Sequence, residues 1–242
     1  MTSIKIENLT KQYKDVRAVD NLSLEIAEGE LFSLLGVNGA GKTTTIKMLS
    51  CLAAPSAGGA TVLGHSVTVA PAAVKGVIAV SPQESAVATG LTVRENLELM
   101  CGIYGFSREK TSARVAELAA LFSLEGEMNK RAGKLSGGYA RRLSIAMALV
   151  GEPRVLFLDE PTLGLDVIAR SDLWEIIRAL KGRVTVILTT HYMEEAEALS
   201  DRIGIMRDGK LLVCDTPDAL KAQTGESTIE RAFIKIVKGV GV

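Results

Sequence analysis

The sequence contains few residues of the kinds that bind structural metals or form disulfides. Its 242 residues include three cysteines, at positions 51, 101 and 214, and two histidines, at positions 65 and 191. Structural zinc sites need four such ligands at short, regular spacings, and these residues are scattered. The pattern predicts free thiols and no zinc site, which suits a reducing compartment.

An excess of charge of one sign and a long apolar run are also absent. The 28 Lys and Arg residues balance the 28 Asp and Glu residues. Because proteins that bind nucleic acid carry a basic excess, this balance argues against direct nucleic-acid binding. No uninterrupted apolar run approaches the roughly 18 residues that a membrane span needs, and the first residues lack a signal-peptide pattern. We therefore expect a cytoplasmic protein.

One glycine-rich segment stands out, residues 36–43 with the sequence GVNGAGKT. It follows an apolar run at 30–35, a predicted strand, and precedes a predicted helix at 44–52. Glycines at such a turn let backbone N–H groups converge on phosphate oxygens, and the helix N-terminus adds positive charge. Lys42 is expected to reach the β- and γ-phosphates, and Thr43 to bind Mg²⁺. The predicted nucleotide contacts here are Gly36, Asn38, Gly39, Ala40, Gly41, Lys42, Thr43 and Thr44.

The pattern of apolar residues predicts strands of two kinds. Residues 4–6 and 22–26 alternate between apolar and polar, which is typical of strands with one solvated face. Residues 154–158 and 184–189 are nearly continuous apolar runs, as in parallel strands covered on both faces. Residues 203–213 contain two short strands joined by Asp-Gly, a hairpin pattern. Together these patterns predict an α/β fold.

The middle of the chain is predicted to be helical. Residues 92–95 form a capping box ahead of apolar residues at helical spacing, and 108–122 and 137–150 continue as helices. The predicted organisation is a single domain, residues 1–242, made of a catalytic α/β core (1–84 and 151–242), a helical subdomain (85–150) and a helical tail (226–242).

The predicted tail helix also has a start signal and an apolar stripe. Ser227 and Glu230 have the spacing of a second capping box. The apolar positions that follow are Ile229, Phe233, Ile236 and Val237.

Two adjacent carboxylates end the apolar run at 155–158. A buried strand of this kind delivers Asp159 to the carboxyl end of the sheet beside the glycine-rich segment, where it can hold Mg²⁺. Glu160 can polarise a water molecule aimed at the γ-phosphate. The alternative is a strand that merely ends in a charged turn.

Residues 135–139, with the sequence LSGGY, complete a resemblance to the nucleotide-binding subunits of ATP-binding cassette (ABC) transporters, of the exporter-like ABC-2 type. The resemblance implies a P-loop NTPase fold with a mixed sheet core, an antiparallel N-terminal β subdomain and a helical insertion. It also implies that Ser136, Gly137 and Gly138 contact a nucleotide bound by a second subunit. Taken alone, the segment could be a turn that starts a helix. Tyr139 departs from the family's usual glutamine, which puts the tuning of the partner contact in doubt.

Four further residues match motifs of the same family. Tyr13 resembles the aromatic residue that stacks on adenine, the alternative being an ordinary tyrosine of an edge strand. Gln83 resembles the Q-loop glutamine that senses Mg²⁺ and the attacking water, and Asp166 lies in a segment resembling the D-loop. His191 resembles the switch histidine that contacts the γ-phosphate. For Gln83 the alternative is a polar loop residue, and for His191 it is a structural or surface residue.

The resemblance implies an ATPase whose cofactors are ATP and Mg²⁺. Its implied partners are transmembrane permease subunits, with a coupling helix docked near residues 84–105, and a second ABC subunit in a homodimer or heterodimer. The implied location is the inner face of the cell membrane. Two alternatives remain: a soluble ABC-type mechanical ATPase that acts on nucleic acid or ribosomes, and a non-hydrolysing regulatory module.

Several polar residues are assigned to structure rather than to chemistry. The acidic positions 194, 195 and 197 are predicted to form a solvated helix face. The other residues assigned to structure are His65, Arg141, Arg142 and Trp174.

Overall fold

The computed structural model describes residues 1–239, so the last three residues of the predicted tail lie outside the described part of the chain. The strands are β1 Thr2–Tyr13, β2 Val16–Ala27, β3 Leu31–Leu35, β4 Ala57–Val62, β5 His65–Ser66, β6 Ile78–Ser81, β7 Val155–Asp159, β8 Thr185–Thr190, β9 Arg202–Arg207 and β10 Lys210–Asp215. The helices are α1 Lys42–Leu49, α2 Pro71–Lys75, α3 Val93–Ile103, α4 Arg108–Leu121, α5 Gly137–Leu149, α6 Val167–Arg178, α7 Met193–Leu199, α8 Pro217–Thr224 and α9 Ile229–Lys238. Within residues 1–239, no helix combines the length and the apolar character that crossing a membrane requires.

An antiparallel sheet with the strand order β2-β1-β4-β5 forms the N-terminal part of the fold. Its alternating pattern arises because Ile4 and Ile6 are buried while Lys5 between them is exposed. The predicted antiparallel subdomain is therefore confirmed. Since β1 pairs with both β2 and β4, Tyr13 does not belong to an edge strand, which corrects that interpretation.

A second sheet, with the order β10-β9-β3-β8-β7-β6, carries the glycine-rich segment. All neighbouring strands are parallel except the β9–β10 hairpin, which the Asp-Gly pattern predicted. Every residue of β3, β7 and β8 is buried, which explains their continuous apolar runs. Leu35 pairs with Thr190, and Asp159 with Thr189. The carboxyl ends of these three strands therefore meet at one edge of the sheet.

The helical segment packs against this sheet. The capping box of α3 is present: Glu95 N–H donates to Thr92 Oγ1 at 3.2 Å, and Thr92 N–H donates to Glu95 Oε2 at 2.7 Å. One buried cluster contains Leu97 and Phe122 from this segment together with Leu156 from β7. The helices are as predicted, whereas the subdomain boundaries at residues 85 and 150 stay predictions.

The helix after the glycine-rich segment differs from its predicted bounds of 44–52. It begins two residues earlier, at Lys42, because Gly41 adopts the left-handed conformation that lets the chain turn directly into the helix. It ends at Leu49 because Cys51 has a φ of 59°, which the helical backbone cannot accommodate.

The start of α9 also differs from the prediction. The capping residue is Thr228, whose Oγ1 accepts a hydrogen bond from Arg231 N–H at 3.3 Å, so the predicted capping box of Ser227 and Glu230 is wrong. The chain enters the helix one residue later than the motif indicates, because Ile229 then lies on the buried face. The apolar stripe is as predicted: Ile229, Phe233 and Ile236 are buried and Val237 packs beside them.

This assignment of the cap predicts different effects for two adjacent substitutions. Thr228→Ala should lower the free energy of unfolding by about 1 kcal/mol, because the Arg231 N–H loses its acceptor. The matched control Ser227→Ala should stay within about 0.5 kcal/mol of the wild type. Urea unfolding measures both, and a larger loss for Ser227→Ala than for Thr228→Ala would contradict the assignment.

Candidate active site

The glycine-rich segment connects the end of β3 to α1. Gly41 precedes the helix with a φ of 101°, and a Cβ at this position would collide with the carbonyl oxygen of Ala18. No side chain within residues 1–239 caps the N-terminus of α1. The first N–H groups of the helix therefore point into the loop as donors for an anion.

Lys42 is held inside this loop. It is 5% exposed, and its Nζ donates to the carbonyl oxygens of Gly36 at 2.7 Å and Val37 at 3.3 Å. Glu160 Oε1 lies 3.6 Å from the same Nζ. Burial lowers the pKa of Lys42, and the charge of Glu160 counteracts this effect. The ammonium group is thus fixed by the loop that would surround a phosphate.

Two hydroxyl groups fix the carboxylate of Asp159. Thr43 Oγ1 donates to Asp159 Oδ1 at 3.0 Å, and Thr189 Oγ1 donates to the same oxygen at 2.5 Å. Asp159 and Thr43 thereby present adjacent oxygen atoms, the ligands that Mg²⁺ prefers. Within the described residues, no group of three or more His, Cys, Asp and Glu side chains could hold a metal by itself. The donor set fits an ion that keeps waters and nucleotide oxygens as further ligands.

Glu160 and His191 face each other across the site. Glu160 Oε2 lies 3.0 Å from His191 Nδ1, although the approach lacks hydrogen-bond geometry. Glu160 has a φ of 46°, an uncommon conformation for this residue type that must be held by its surroundings. Its N–H donates to both the carbonyl and the hydroxyl oxygen of Thr189, each at 3.1 Å. Thr189 thus fixes the backbone of Glu160, and the carboxylate lies between Lys42 and His191.

These groups open into one cavity of about 510 Å³. It brings together most of the residues predicted for the nucleotide site, and Ala18 and Leu163 also line it. The predicted residues in its lining are Asn38, Gly39, Ala40, Gly41, Lys42, Thr43, Thr44, Gln83, Glu160 and His191. Gly36 and Asp159 contact this lining from behind, through Lys42 and Thr43. Tyr13 is outside the lining, at the end of β1, and 45% exposed.

Three residues of the LSGGY segment, Ser136, Gly138 and Tyr139, line a different cavity, of about 280 Å³, to which Asp166 also contributes, whereas Gly137 is outside its lining. Ser136 is the N-cap of α5, and its Oγ accepts from Tyr139 N–H at 3.4 Å. Asp166 is the N-cap of α6 and accepts from Ala169 N–H at 2.9 Å. This cavity and the larger one have no lining residue in common. Within one chain, Ser136, Gly138 and Asp166 are therefore not brought together with Lys42.

Glu195 corrects the prediction of a solvated acidic face. It is fully buried, and its Oε1 accepts hydrogen bonds from Thr162 Oγ1 at 2.8 Å and Trp174 Nε1 at 3.1 Å. The reason is tertiary packing, because Glu195 shares a face of α7 with the buried residues Ala196 and Leu199. The helical spacing of these three residues was the signal in the sequence that could have revealed it.

The fold and the first cavity define a P-loop nucleotide-binding protein, and comparisons with known proteins narrow the class. A family model described as "ABC transporter" matches residues 19–163. Daunorubicin resistance ATP-binding protein DrrA3 of Streptomyces coeruleorubidus is 42% identical over 95% of this chain and 73% of that protein. Nod factor export ATP-binding protein I of Burkholderia orbicola (strain AU 1054) is 42% identical over 94% and 75%.

Solved structures agree with these matches. An ATP binding subunit of an ABC transporter superposes with a TM-score of 0.86 at 27% identity, covering 98% of this chain and all of that one. A dimeric ATP-binding cassette in a post-hydrolysis state with ADP and Pi gives 0.78 at 28% identity, covering 88% and 98%. The chain therefore belongs to the ABC transporter family. The predicted family, the predicted fold and the predicted class of enzyme, an ATPase of a membrane transporter, are confirmed.

The burial of Glu195 predicts a pH dependence of stability. Burial raises the pKa of Glu195, and the hydrogen bonds from Thr162 and Trp174 counteract this effect. Because the folded pKa exceeds the unfolded one, the contribution of this group to stability is fully present below the unfolded pKa of about 4.3 and is lost as pH rises through the folded pKa. Glu195→Gln should therefore gain stability relative to the wild type as pH increases from about 4 to 7.

Urea unfolding at several pH values measures this difference. The matched control is Glu194→Gln, which alters the exposed neighbouring carboxylate and should stay within about 0.5 kcal/mol of the wild type. A difference between Glu195→Gln and the wild type that stays constant with pH would contradict the assignment.

Proposed function

We propose that two copies of this chain, or one copy and a second ABC subunit, bind two Mg-ATP molecules between them and hydrolyse them to drive export through transmembrane permease subunits. The observation that supports this proposal most is that one chain has two separate cavities. The cavity of about 510 Å³ is lined by the glycine-rich segment (the P-loop cavity), and the cavity of about 280 Å³ is lined by Ser136 (the Ser136 cavity). Each cavity offers the N-terminus of a helix to an anion. A head-to-tail pair lets Ser136, Gly137 and Gly138 of one subunit complete the nucleotide site of the other.

The phosphate end of the site binds and neutralises charge. Lys42 and the N–H groups at the start of α1 would bind the phosphates, and Thr43, Asp159 and Gln83 would hold Mg²⁺. The metal ion, when bound with ATP, supplies further positive charge to the phosphate oxygens. Tyr13 is assigned to the adenine ring, and its exposed position at the end of β1 leaves it accessible for stacking.

The hydrolytic step depends on Glu160. Its carboxylate accepts a proton from the water that attacks the γ-phosphate, and Lys42 and His191 lie on either side of that carboxylate. Gln83, in the lining of the same cavity, orients that water. Asp166 contacts the second subunit, since it lines the same cavity as Ser136 and not the cavity that contains Lys42.

Exposed apolar residues support docking of the permease subunits near residues 84–105. Leu99 and Ile103 of α3 are 47% and 68% exposed, and Tyr104, the C-cap of this helix, is 47% exposed. Apolar side chains grouped on one exposed helix face are typical of an interaction surface. The subunit is thereby held at the inner face of the cell membrane.

The relatives support export as the direction of transport. Their names state daunorubicin resistance in one case and Nod factor export in another. The family match to transporters and the balanced charge disfavour an ATPase that acts on nucleic acid or ribosomes. Glu160 and His191 in one cavity disfavour a regulatory module without hydrolysis.

Substitution of Glu160 tests the hydrolytic role. Glu160→Gln should bind Mg-ATP and dimerise, because the amide keeps the shape of the side chain, but its turnover should fall about a hundredfold or more. Steady-state phosphate release and size-exclusion chromatography with ATP measure the two properties. Glu117→Gln, at a 61% exposed glutamate of α4, is the control and should retain turnover. Undiminished phosphate release from Glu160→Gln would remove Glu160 from this role.

Substitution of Lys42 tests the binding role. Lys42→Met should weaken Mg-ATP binding by about tenfold or more, the equivalent of losing a hydrogen bond from a charged group. Equilibrium titration with a fluorescent ATP analogue measures the affinity. Lys47→Met, at an exposed position of the same helix, should bind as the wild type does. Equal affinity of both variants would contradict the assignment of the phosphate site.

A further inference from the structure

A buried arginine connects the segments that carry the predicted catalytic side chains. Arg141, in α5, is 3% exposed. Its Nε donates to the carbonyl oxygen of Pro161 at 2.9 Å, and one terminal nitrogen donates to that of Asp159 at 3.1 Å. The other terminal nitrogen donates to the carbonyl oxygens of Pro82 and, at 3.5 Å, Gln83. One guanidinium group therefore holds two loops.

The carbonyl groups that Arg141 binds belong to Gln83 and to the chain neighbours of Glu160 and Gln83. Asp159 and Pro161 are the two neighbours of Glu160 in the chain, and Pro82 immediately precedes Gln83. Arg141 thus fixes the backbone on both sides of Glu160 and at Gln83. Glu160 and Gln83 line the P-loop cavity, whereas Arg141 does not.

The chemistry of the group fits this role better than it fits simple packing. Arg141 forms no ion pair with a carboxylate within residues 1–239, so its charge is balanced chiefly by backbone carbonyl dipoles. Burial lowers its pKa to about 10, and the charges of Asp159 and Glu195 raise it in part, so the group stays charged at neutral pH. A planar fork of five N–H donors can bind several carbonyl groups at fixed angles, which an apolar side chain of the same volume cannot do.

The segment around Glu160 is also held by a second helix, α7. Glu195, in α7, accepts the hydrogen bond from Thr162, the residue after Pro161. The Asp159 and Pro161 carbonyl groups and the Thr162 hydroxyl group are thereby held by two buried side chains, Arg141 and Glu195. Glu160 is the residue in this segment whose φ of 46° must be maintained by its surroundings.

We infer that Arg141 is a positioning residue that aligns Glu160 with Gln83 and connects both to α5, the helix that begins at Ser136. This inference rests on the proposed function. Because α5 begins at Ser136, which is assigned to the nucleotide of the other subunit, a displacement of α5 moves the Pro82 and Pro161 carbonyl groups with it. Arg141 thus transmits engagement of one nucleotide to the hydrolytic groups around the other.

The test compares Arg141→Lys with the wild type. Lysine keeps the charge but cannot bind both loops at once, so kcat should fall about tenfold or more while KM for ATP stays within about twofold. Binding of Mg-ATP, measured by equilibrium titration, should be unchanged. Steady-state phosphate release over a range of ATP concentrations separates kcat from KM.

The matched control is Arg114→Lys. Arg114 is a largely buried arginine of α4 that donates to the backbone carbonyl of Leu149 at the other end of α5, away from the cavity. Arg114→Lys should lose a comparable hydrogen bond to a backbone carbonyl and keep the wild-type kcat. Thermal unfolding of both variants shows whether any loss of stability is shared.

The outcomes separate this inference from the proposed function. A wild-type kcat in Arg141→Lys overturns the inference, and so does a fall in kcat that is matched by equal losses of ATP affinity and stability. Should the lysine variant not fold, Arg141→Gln keeps a planar donor for one loop and should give the same separation of kcat from KM. Undiminished turnover in Glu160→Gln would instead overturn the proposed function.

Discussion

The parallel pairing of β3, β8 and β7 is the constraint on which the site depends. Parallel strands end at the same edge of a sheet. The strand ends therefore bring together the P-loop after Leu35, the histidine after Thr190 and the carboxylate of Asp159, and no long flexible loop is needed. Burial of every residue in these strands makes the edge rigid. A rigid edge is what a site needs when its chemistry consists of positioning and charge neutralisation.

The same architecture prevents one chain from using both of its anion-binding helix ends together. α1 starts at the sheet edge, whereas α5 starts in the helical segment, and the two N-termini open into cavities without a common residue. The function proposed above accordingly assigns Ser136 to a nucleotide bound by another subunit. In that proposal, the separation of the two cavities makes assembly a condition for hydrolysis.

A feature of the fold or the site could be predicted from the sequence where neighbouring residues decide it, and could not where packing against distant elements decides it. The placement of the glycine-rich segment, Asp159 and Glu160 at one sheet edge could be predicted, because strands and turns fix it within a few residues of chain, whereas His191 is singled out by the family resemblance. The burial of Glu195 and the capping role of Thr228 could not, because packing against distant elements decides both. The separation of the two cavities could be expected in outline from a family resemblance, but its geometry needs the folded chain.

The conformation of Glu160 shows why its neighbours matter. A glutamate with a φ of 46° gains nothing from its own backbone preference, so the alignment of its carboxylate must come from bonds made by adjacent residues. Thr189 supplies two of these bonds to its N–H, and Arg141 holds the carbonyl groups on either side. Arg141 belongs to the helix that begins at Ser136, so the backbone around Glu160 is held by the helix that carries the LSGGY segment. In the assembly proposed above, Glu160 therefore responds to the position of the partner without contacting it.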